Sequence, residues 1–479
     1  MLLHTPFYLI FLAFSVSFYW LLPNINCRKW FLLIASYVFY SLFDWRFAAL
    51  LLFLTWVTFL IGLAIKRSSH ARFFAWLSVL INFGILGVFK YMNFFLNSVE
   101  SLWAAYDVNL LSVGLRLILP IGISFYSFQA ISYTTEIYRK KIEPVTKWMD
   151  FAIYLSFFPK LIAGPLVQPK RFLEQLESPE RKFNKDTFKA ALLLLLLGLV
   201  KKVIIADSLA SRGDVAFRAA SLALIDGQFP SPVYIQGFYL YAYQIYADFS
   251  GYTDIALASA AMLGFKLPQN FRQPYLSSTI IEFWNRWHMS LTRWFREYLF
   301  FPLSRRLLIV SRRKHTKVVQ TSVNLVTMTL IGLWHGAAWT FVIWGLYHGV
   351  LLSIQHLLNV KPRSKTSKFL TGLLTFHLVG FGWIIFASVS IISAKSFFQG
   401  LFAFHGMRWL PLFIPSILVT SVLVFGIDLV QGGYLPIPTT VKKYGQPVLI
   451  IAGIGVLVSL YILRFASGSD VRPFIYGQF

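Results

Sequence analysis

Two imidazoles stand where a chain of this composition can least easily hold them. His288 lies in Glu282-Phe283-Trp284-Asn285-Arg286-Trp287-His288-Met289-Ser290-Leu291, and His335 in Gly332-Leu333-Trp334-His335-Gly336. Ionisable side chains at membrane depth face a cavity or a partner as a rule, so function is the first reading for both. A neutral imidazole in a dry site can take a proton from a hydroxyl, which is the task of a general base. His335 suits that task best. It has no charged residue close by in sequence, and the glycine beside it permits close approach of a substrate or another backbone. For His288, a structural role hydrogen-bonding its neighbours stands level with a catalytic one.

The other histidines are weaker candidates. His70 and His315 lie in basic loops, His4 is near the first residue, His405 is in a loop, and His348 and His377 lack a comparable polar setting. Neither H-E-x-x-H nor another metal-ligand spacing occurs, so no metal site is expected. The single cysteine, Cys27, excludes an intramolecular disulfide and any multi-cysteine metal site. Asp248 and Asp254 are carboxylates in an otherwise apolar region. They read either as caps or structural hydrogen-bonding groups at a helix break beside Gly251, or as the lining of a polar funnel.

Drawn as one helix, Glu282 to Leu303 carries Trp284, Trp287, Leu291, Trp294 and Tyr298 at three- and four-residue steps. Glu282 with Arg286 and Arg293 with Glu297 are opposite-charge pairs four apart. Asn285, His288 and Thr292 make a neutral polar stripe. Such a helix belongs in protein at the interface and not facing lipid. Around the two histidines, Asn285, Trp284, Trp287, Trp334, Asp248 and Asp254 are the candidates for lining a substrate funnel or holding a developing oxyanion.

The elements that must position these residues are membrane helices. The chain of 479 residues is 57% hydrophobic and only 13% charged, and its mean hydropathy is +0.64. Apolar runs of about 20 residues recur from end to end, each long enough to cross a bilayer. The short alternating segments of a transmembrane barrel are absent from the sequence. The formal charge of +25 sits in short loops between spans, as expected of cytoplasmic connections. That distribution argues against nucleic acid and for anionic lipid head groups as the partners of these loops.

Taken in order, spans are expected near Phe7 to Leu22 (uncleaved, since no basic n-region precedes it), Trp30 to Leu42, Phe47 to Ile65, Phe73 to Leu96 and Leu115 to Tyr133. The segment from Lys147 to Lys170 is apolar, flanked by basic residues and broken by Phe157-Phe158-Pro159-Lys160 and Ala163-Gly164-Pro165. It reads as a re-entrant element, with one kinked span as the alternative. Later spans are expected at Ala190 to Ala206, Tyr234 to Leu263, Val318 to Trp339, Phe341 to Leu358, Phe369 to Ala387, Leu412 to Val430 and Val448 to Leu463. Between the second and third of these later spans lie the His288 stretch and the dense basic loop Arg305 to Lys317. No inverted internal repeat is visible, which weakens a transporter reading.

Several blocks together resemble the membrane-bound O-acyltransferase superfamily, in its bacterial polysaccharide-acetylating branch. They are Gly122 to Arg139, Phe157 to Pro165 (FFPKLIAGP), Tyr246 to Ala256 (YADFSGYTDIA), Asn270 to Pro302, Gly332 to Gly349 (GLWHGAAWTFVIWGLYHG) and the terminal Pro473-Phe474-Ile475-Tyr476-Gly477-Gln478-Phe479. The terminal block departs from the pattern at Gly477, where an aromatic is expected. The resemblance implies an all-α polytopic membrane bundle with re-entrant and interfacial helices around a central funnel or tunnel. It implies one domain over residues 1–479, its catalytic core at about 115–360 and peripheral spans at 1–114 and 361–479. His335 matches the superfamily's catalytic histidine, and His288 the second histidine of the bacterial branch.

The function implied by the resemblance is that of an O-acetyltransferase of the bacterial inner membrane, modifying alginate, peptidoglycan or another exopolysaccharide. It would have no tightly bound cofactor, acetyl-CoA as the cytosolic donor, and an SGNH-type partner outside the membrane. The rivals are D-alanyl transfer to teichoic acid from a carrier protein, and a polar-solute transporter with the histidines as a proton relay.

Overall fold

The computed structural model describes residues 2–104, 118–177, 182–226 and 229–432, together with 453, 455, 474 and 475. Among these every regular element is a helix. Five helices are long and apolar enough to cross a membrane: Trp45–Arg67, Ala71–Glu100, Trp339–Leu358, Lys365–Ala387 and Met407–Gln431. The protein is therefore an all-α polytopic membrane protein, as its composition requires. The expected span at Val448 to Leu463 lies outside the described residues.

Two compact units divide the chain. The first holds Met1–Leu192 and Ala256–Pro268. Its first three helices begin at side-chain caps: Thr5 accepts from the Tyr8 amide, Asn24 from Cys27 and Asp44 from Arg46. Inside it, the segment from Lys147 to Lys170 forms the nine-residue helix Trp148–Ser156, a turn at Phe157 and the four-residue helix Phe158–Leu161, with buried non-helical backbone beyond. Neither helix is long enough to cross a bilayer. Pro159 opens the second one, where its missing N–H is not needed. Irregular backbone at this depth is tolerated because protein encloses it: Phe157 packs on Phe265, and the Tyr154 hydroxyl donates to the Gln129 and Val167 carbonyls. Lys160 is fully buried here, donating to Gln129 Oε1 and the Tyr154 carbonyl, with the Tyr154 ring 4.7 Å away.

The second unit holds Leu193–Ile255 and Gln269–Phe479, and both candidate histidines belong to it. Two of its features differ from the sequence reading. The helix Lys185–Leu199 does not stop at Ala206; it passes through a π-helical stretch, Val200–Ala206, into Asp207–Asp226. The helix Ser231–Met262 runs 32 residues without the break expected beside Gly251. That glycine serves helix crossing: a Cβ on Gly251 would meet the Gly198 carbonyl oxygen at 2.7 Å, and one on Gly198 would meet the Gly251 oxygen at 2.8 Å. Backbone therefore lies on backbone, and the lysines of the π stretch reach the Ser231–Met262 helix.

Candidate active site

His335 is the last residue of the helix Thr316–His335, and the chain turns through Gly336 into Trp339–Leu358. These two helices cross closely, since a Cβ on Gly345 would overlap the Met328 carbonyl oxygen. Gly336 makes room for protein: a Cβ there would overlap the Phe341 ring. The close approach that the sequence suggested beside His335 is thus taken by a phenyl group. The imidazole is buried, edge-on to Trp344 at 5.2 Å and to Phe386 at 5.5 Å, with the Trp334 ring at 4.9 Å.

His288 reaches the same place by a different device. The single helix expected from Glu282 to Leu303 is broken into Ile280–Arg286 and Met289–Phe295, followed by a π turn at Arg296–Phe300 and the helix Phe301–Val310. His288 is the hinge, with φ 40° and ψ 51°. A left-handed conformation is unfavourable for a residue with a Cβ and persists only where surroundings enforce it. Here they do. The Met289 amide donates to the Asn270 carbonyl at 2.9 Å, the Ser290 amide to Asn270 Oδ1 at 3.3 Å, and the Arg272 amide to the Arg286 carbonyl at 3.0 Å. Asn270 is itself buried and donates through Nδ2 to Thr253 at 3.5 Å. The imidazole meets the Phe249 ring edge-on at 4.7 Å, and its centre lies 6.3 Å from that of His335, with Trp334 contacting both.

The remaining candidates divide into four groups. Trp334 lies with the two histidines. Trp284 and Trp287 are buried beside them in a continuous aromatic packing, Trp284 against Trp344 and His348, Trp287 against Phe271, Phe283 and Trp383. Asn285 is exposed and accepts from Arg296, so the break at His288 dissolves the expected stripe of Asn285, His288 and Thr292. The Glu282–Arg286 pair forms at 2.6 Å, and Glu282 also accepts from the Ser278 amide and hydroxyl.

Asp248 and Asp254 are neither at a break nor uncompensated. Asp248 pairs with Lys202 at 2.6 Å and accepts from the Ile475 amide; Lys202 also pairs with Asp207 at 2.9 Å. Asp254 pairs with Lys201 at 2.7 Å, and Lys201 donates further to Ser250 and Gln431. Alongside, Asp428 accepts from the Tyr246 hydroxyl at 2.5 Å. Charges removed from water hold their ionised forms only when so matched. This is a brace within the unit, and Lys201, Lys202, Asp207 and Asp428 were missed as its members. Sequence reasoning also missed Asn270, Phe249 and Trp344. For Asn270 the signal was its place at the head of the block that carries His288; for Asp428 it was a lone carboxylate in an apolar span.

A neutral imidazole offers one nitrogen that donates and one that accepts. Here one such ring is buried among aromatic side chains, and a second buried imidazole stands one ring-width away. This arrangement suits proton transfer to and from a hydroxyl in a site closed to water.

The chain matches the family described as MBOAT, membrane-bound O-acyltransferase, over residues 32–390. It belongs to that family. The O-acyltransferase is 38% identical over 405 residues to a protein of Azotobacter vinelandii named as a probable alginate O-acetylase, AlgI, a match covering 83% of this chain and 77% of the relative. It is 32% identical to the peptidoglycan O-acetyltransferase of Helicobacter pylori, covering 85% and 81%. Similarity to the teichoic acid D-alanyltransferase of Streptococcus thermophilus is more limited, 30% identity over 56% of the chain and 68% of the relative. In this O-acyltransferase, His335 and His288 are buried with their ring centres 6.3 Å apart.

Proposed function

We propose that the enzyme carries an acetyl group from cytosolic acetyl-CoA to an acceptor outside the bacterial inner membrane, for O-acetylation of alginate, peptidoglycan or a related polysaccharide. The observation that carries the reading is the pair of buried imidazoles at the end of the Thr316–His335 helix away from the basic loop. That helix is about 30 Å long, close to the hydrocarbon thickness. Arg312, Arg313, Lys314 and Lys317 flank its first turn, and Lys361, Arg363 and Lys365 follow the returning helix. By the positive-inside rule both loops face the cytosol, which leaves His335 towards the outer side. The cytosolic cations would attract the phosphates of the donor.

In this mechanism His335 takes the proton of the acceptor hydroxyl as its oxygen attacks the thioester carbonyl carbon. The carbon–sulfur bond breaks, the acetyl ester forms, and the departing thiolate takes the proton back from the imidazolium. His288, whose position the Asn270 latch fixes, donates to the developing oxyanion. The acetyl group then passes through an SGNH-type partner to the polysaccharide. The closeness of the alginate and peptidoglycan relatives favours acetyl over D-alanyl transfer.

Proteoliposomes with labelled acetyl-CoA on one face test this. Acetyl transfer or thioester hydrolysis that disappears in His335→Ala is the expected result. Turnover of a D-alanyl carrier thioester alone, or solute uptake without any thioester turnover, would sink it.

A further inference from the structure

We infer that His348, with the indole N–H groups of Trp344 and Trp284, forms a subsite for an amide group in the leaving arm of the thioester donor. This rests on the acyl-thioester reading of the active site and concerns a residue to which the sequence assigned no role.

His348 is fully buried on the helix Trp339–Leu358. Neither of its ring nitrogens has a hydrogen-bond partner among the described residues, and the same is true of Nε1 of Trp344 and of Trp284. All three side chains are more than nine-tenths buried. They are one cluster: the His348 ring lies 5.0 Å from that of Trp344 and 5.2 Å from that of Trp284, and those two indoles lie 5.8 Å apart. Tight packing also fixes the imidazole, because a Cβ on Gly382 would fall 2.6 Å from Nε2. Buried N–H groups without acceptors are rare, and each costs about 1–3 kcal/mol unless a ligand or water answers it. Several held rigidly around one imidazole are the mark of a binding site.

Position says what would bind. Trp344 touches both His335 and His348, so the two imidazoles lie within reach of one short ligand arm. His348 lies beyond Trp344 along the helix, towards the cytosolic loop. A donor whose carbonyl carbon lies at His335 and whose phosphates stay at the cytosolic face must lead its arm past this level. The arm of a pantetheine thioester carries its first amide two methylenes from the sulfur. An amide offers one acceptor and one donor. A neutral imidazole offers one of each, and the indoles add donors for the carbonyl oxygen. The apolar walls suit the intervening methylenes.

The test compares donors that keep and lack the amide. With the wild type, S-acetyl-N-acetylcysteamine should exceed S-ethyl thioacetate in kcat/KM by tenfold or more. In His348→Phe that advantage should collapse through a higher KM for the amide donor and for acetyl-CoA, with S-ethyl thioacetate turnover unchanged. His348→Gln, which keeps a donor and an acceptor, should restore most of it. Equal kcat/KM for the two short donors in the wild type would overturn the inference, whatever the variants do. So would parallel losses on both donors in His348→Phe, the result expected if the nitrogens merely point into aromatic faces. A wild type that turns over no acetyl thioester at all would overturn the donor reading itself, which is a different failure.

Discussion

Two polar clusters in the same unit solve the problem of burial in opposite ways. Around Lys201 and Lys202, full charges are kept and matched: three ion pairs join two ammonium groups to Asp207, Asp248 and Asp254. Around His335 the packing is aromatic, and the imidazole sits among Trp334, Trp344 and Phe386. The paired cluster has its electrostatic needs met within the protein, so it can brace helices but has little left for a substrate. The aromatic cluster holds rings whose nitrogens can exchange a proton with a bound hydroxyl. The first arrangement gives rigidity; in the proposed mechanism the second gives reactivity.

The sharpest test of this contrast is His335→Ala. Loss of a general base lowers rates by roughly 10²–10⁴-fold, and acetyl transfer should fall within that range while thermal unfolding in detergent is little changed. Residual transfer above a tenth of wild type would deny the reactive role. Lys202→Met should do the reverse. It leaves Asp207 and Asp248 buried without their cation, a loss of about 3–5 kcal/mol, so the unfolding temperature drops sharply. Lys202→Met combined with Asp207→Asn and Asp248→Asn should recover much of that stability; if it does not, the cluster is more than a brace. Next in size, Asn270→Ala frees the Ser290 amide and loosens the His288 turn, for about 1–2 kcal/mol in stability or in the reaction barrier. A change in kcat larger than the change in unfolding free energy is expected if the latch serves His288. The smallest effect belongs to Glu282→Gln. Its partly exposed pair with Arg286 is worth under about 1 kcal/mol, and activity should stay near wild type.

Legibility followed the range of the interactions. His335 stood out as a candidate because a histidine at the end of an apolar run, between tryptophan and glycine, has few bland explanations. Five of the expected spans, those matching Trp45–Arg67, Ala71–Glu100, Trp339–Leu358, Lys365–Ala387 and Met407–Gln431, were readable from hydropathy, and the broken helix at Phe157 from its proline and glycine. The brace was not. Lys201 and Asp254 are 53 residues apart, and their meeting depends on the backbone contact of Gly198 with Gly251. Seen locally, the lysines look like the end of a span and the aspartates like caps. His288 misled in another manner. Its aromatic neighbours keep helical spacing on both sides, and nothing in a histidine announces a positive φ. The turn is imposed from Asn270, across a stretch of chain that local periodicity does not sample.

That turn has a consequence for descent. The left-handed backbone at His288 opposes its own side chain by on the order of 1 kcal/mol, a penalty glycine would not incur. Glycine would relieve that penalty but would empty the buried site against Phe249 and Trp334, a larger loss. In a lineage released from the reaction, position 288 would therefore drift towards asparagine, which adopts this backbone readily and keeps part of the volume, and such a homologue would be recognisable as a retired enzyme with an intact frame.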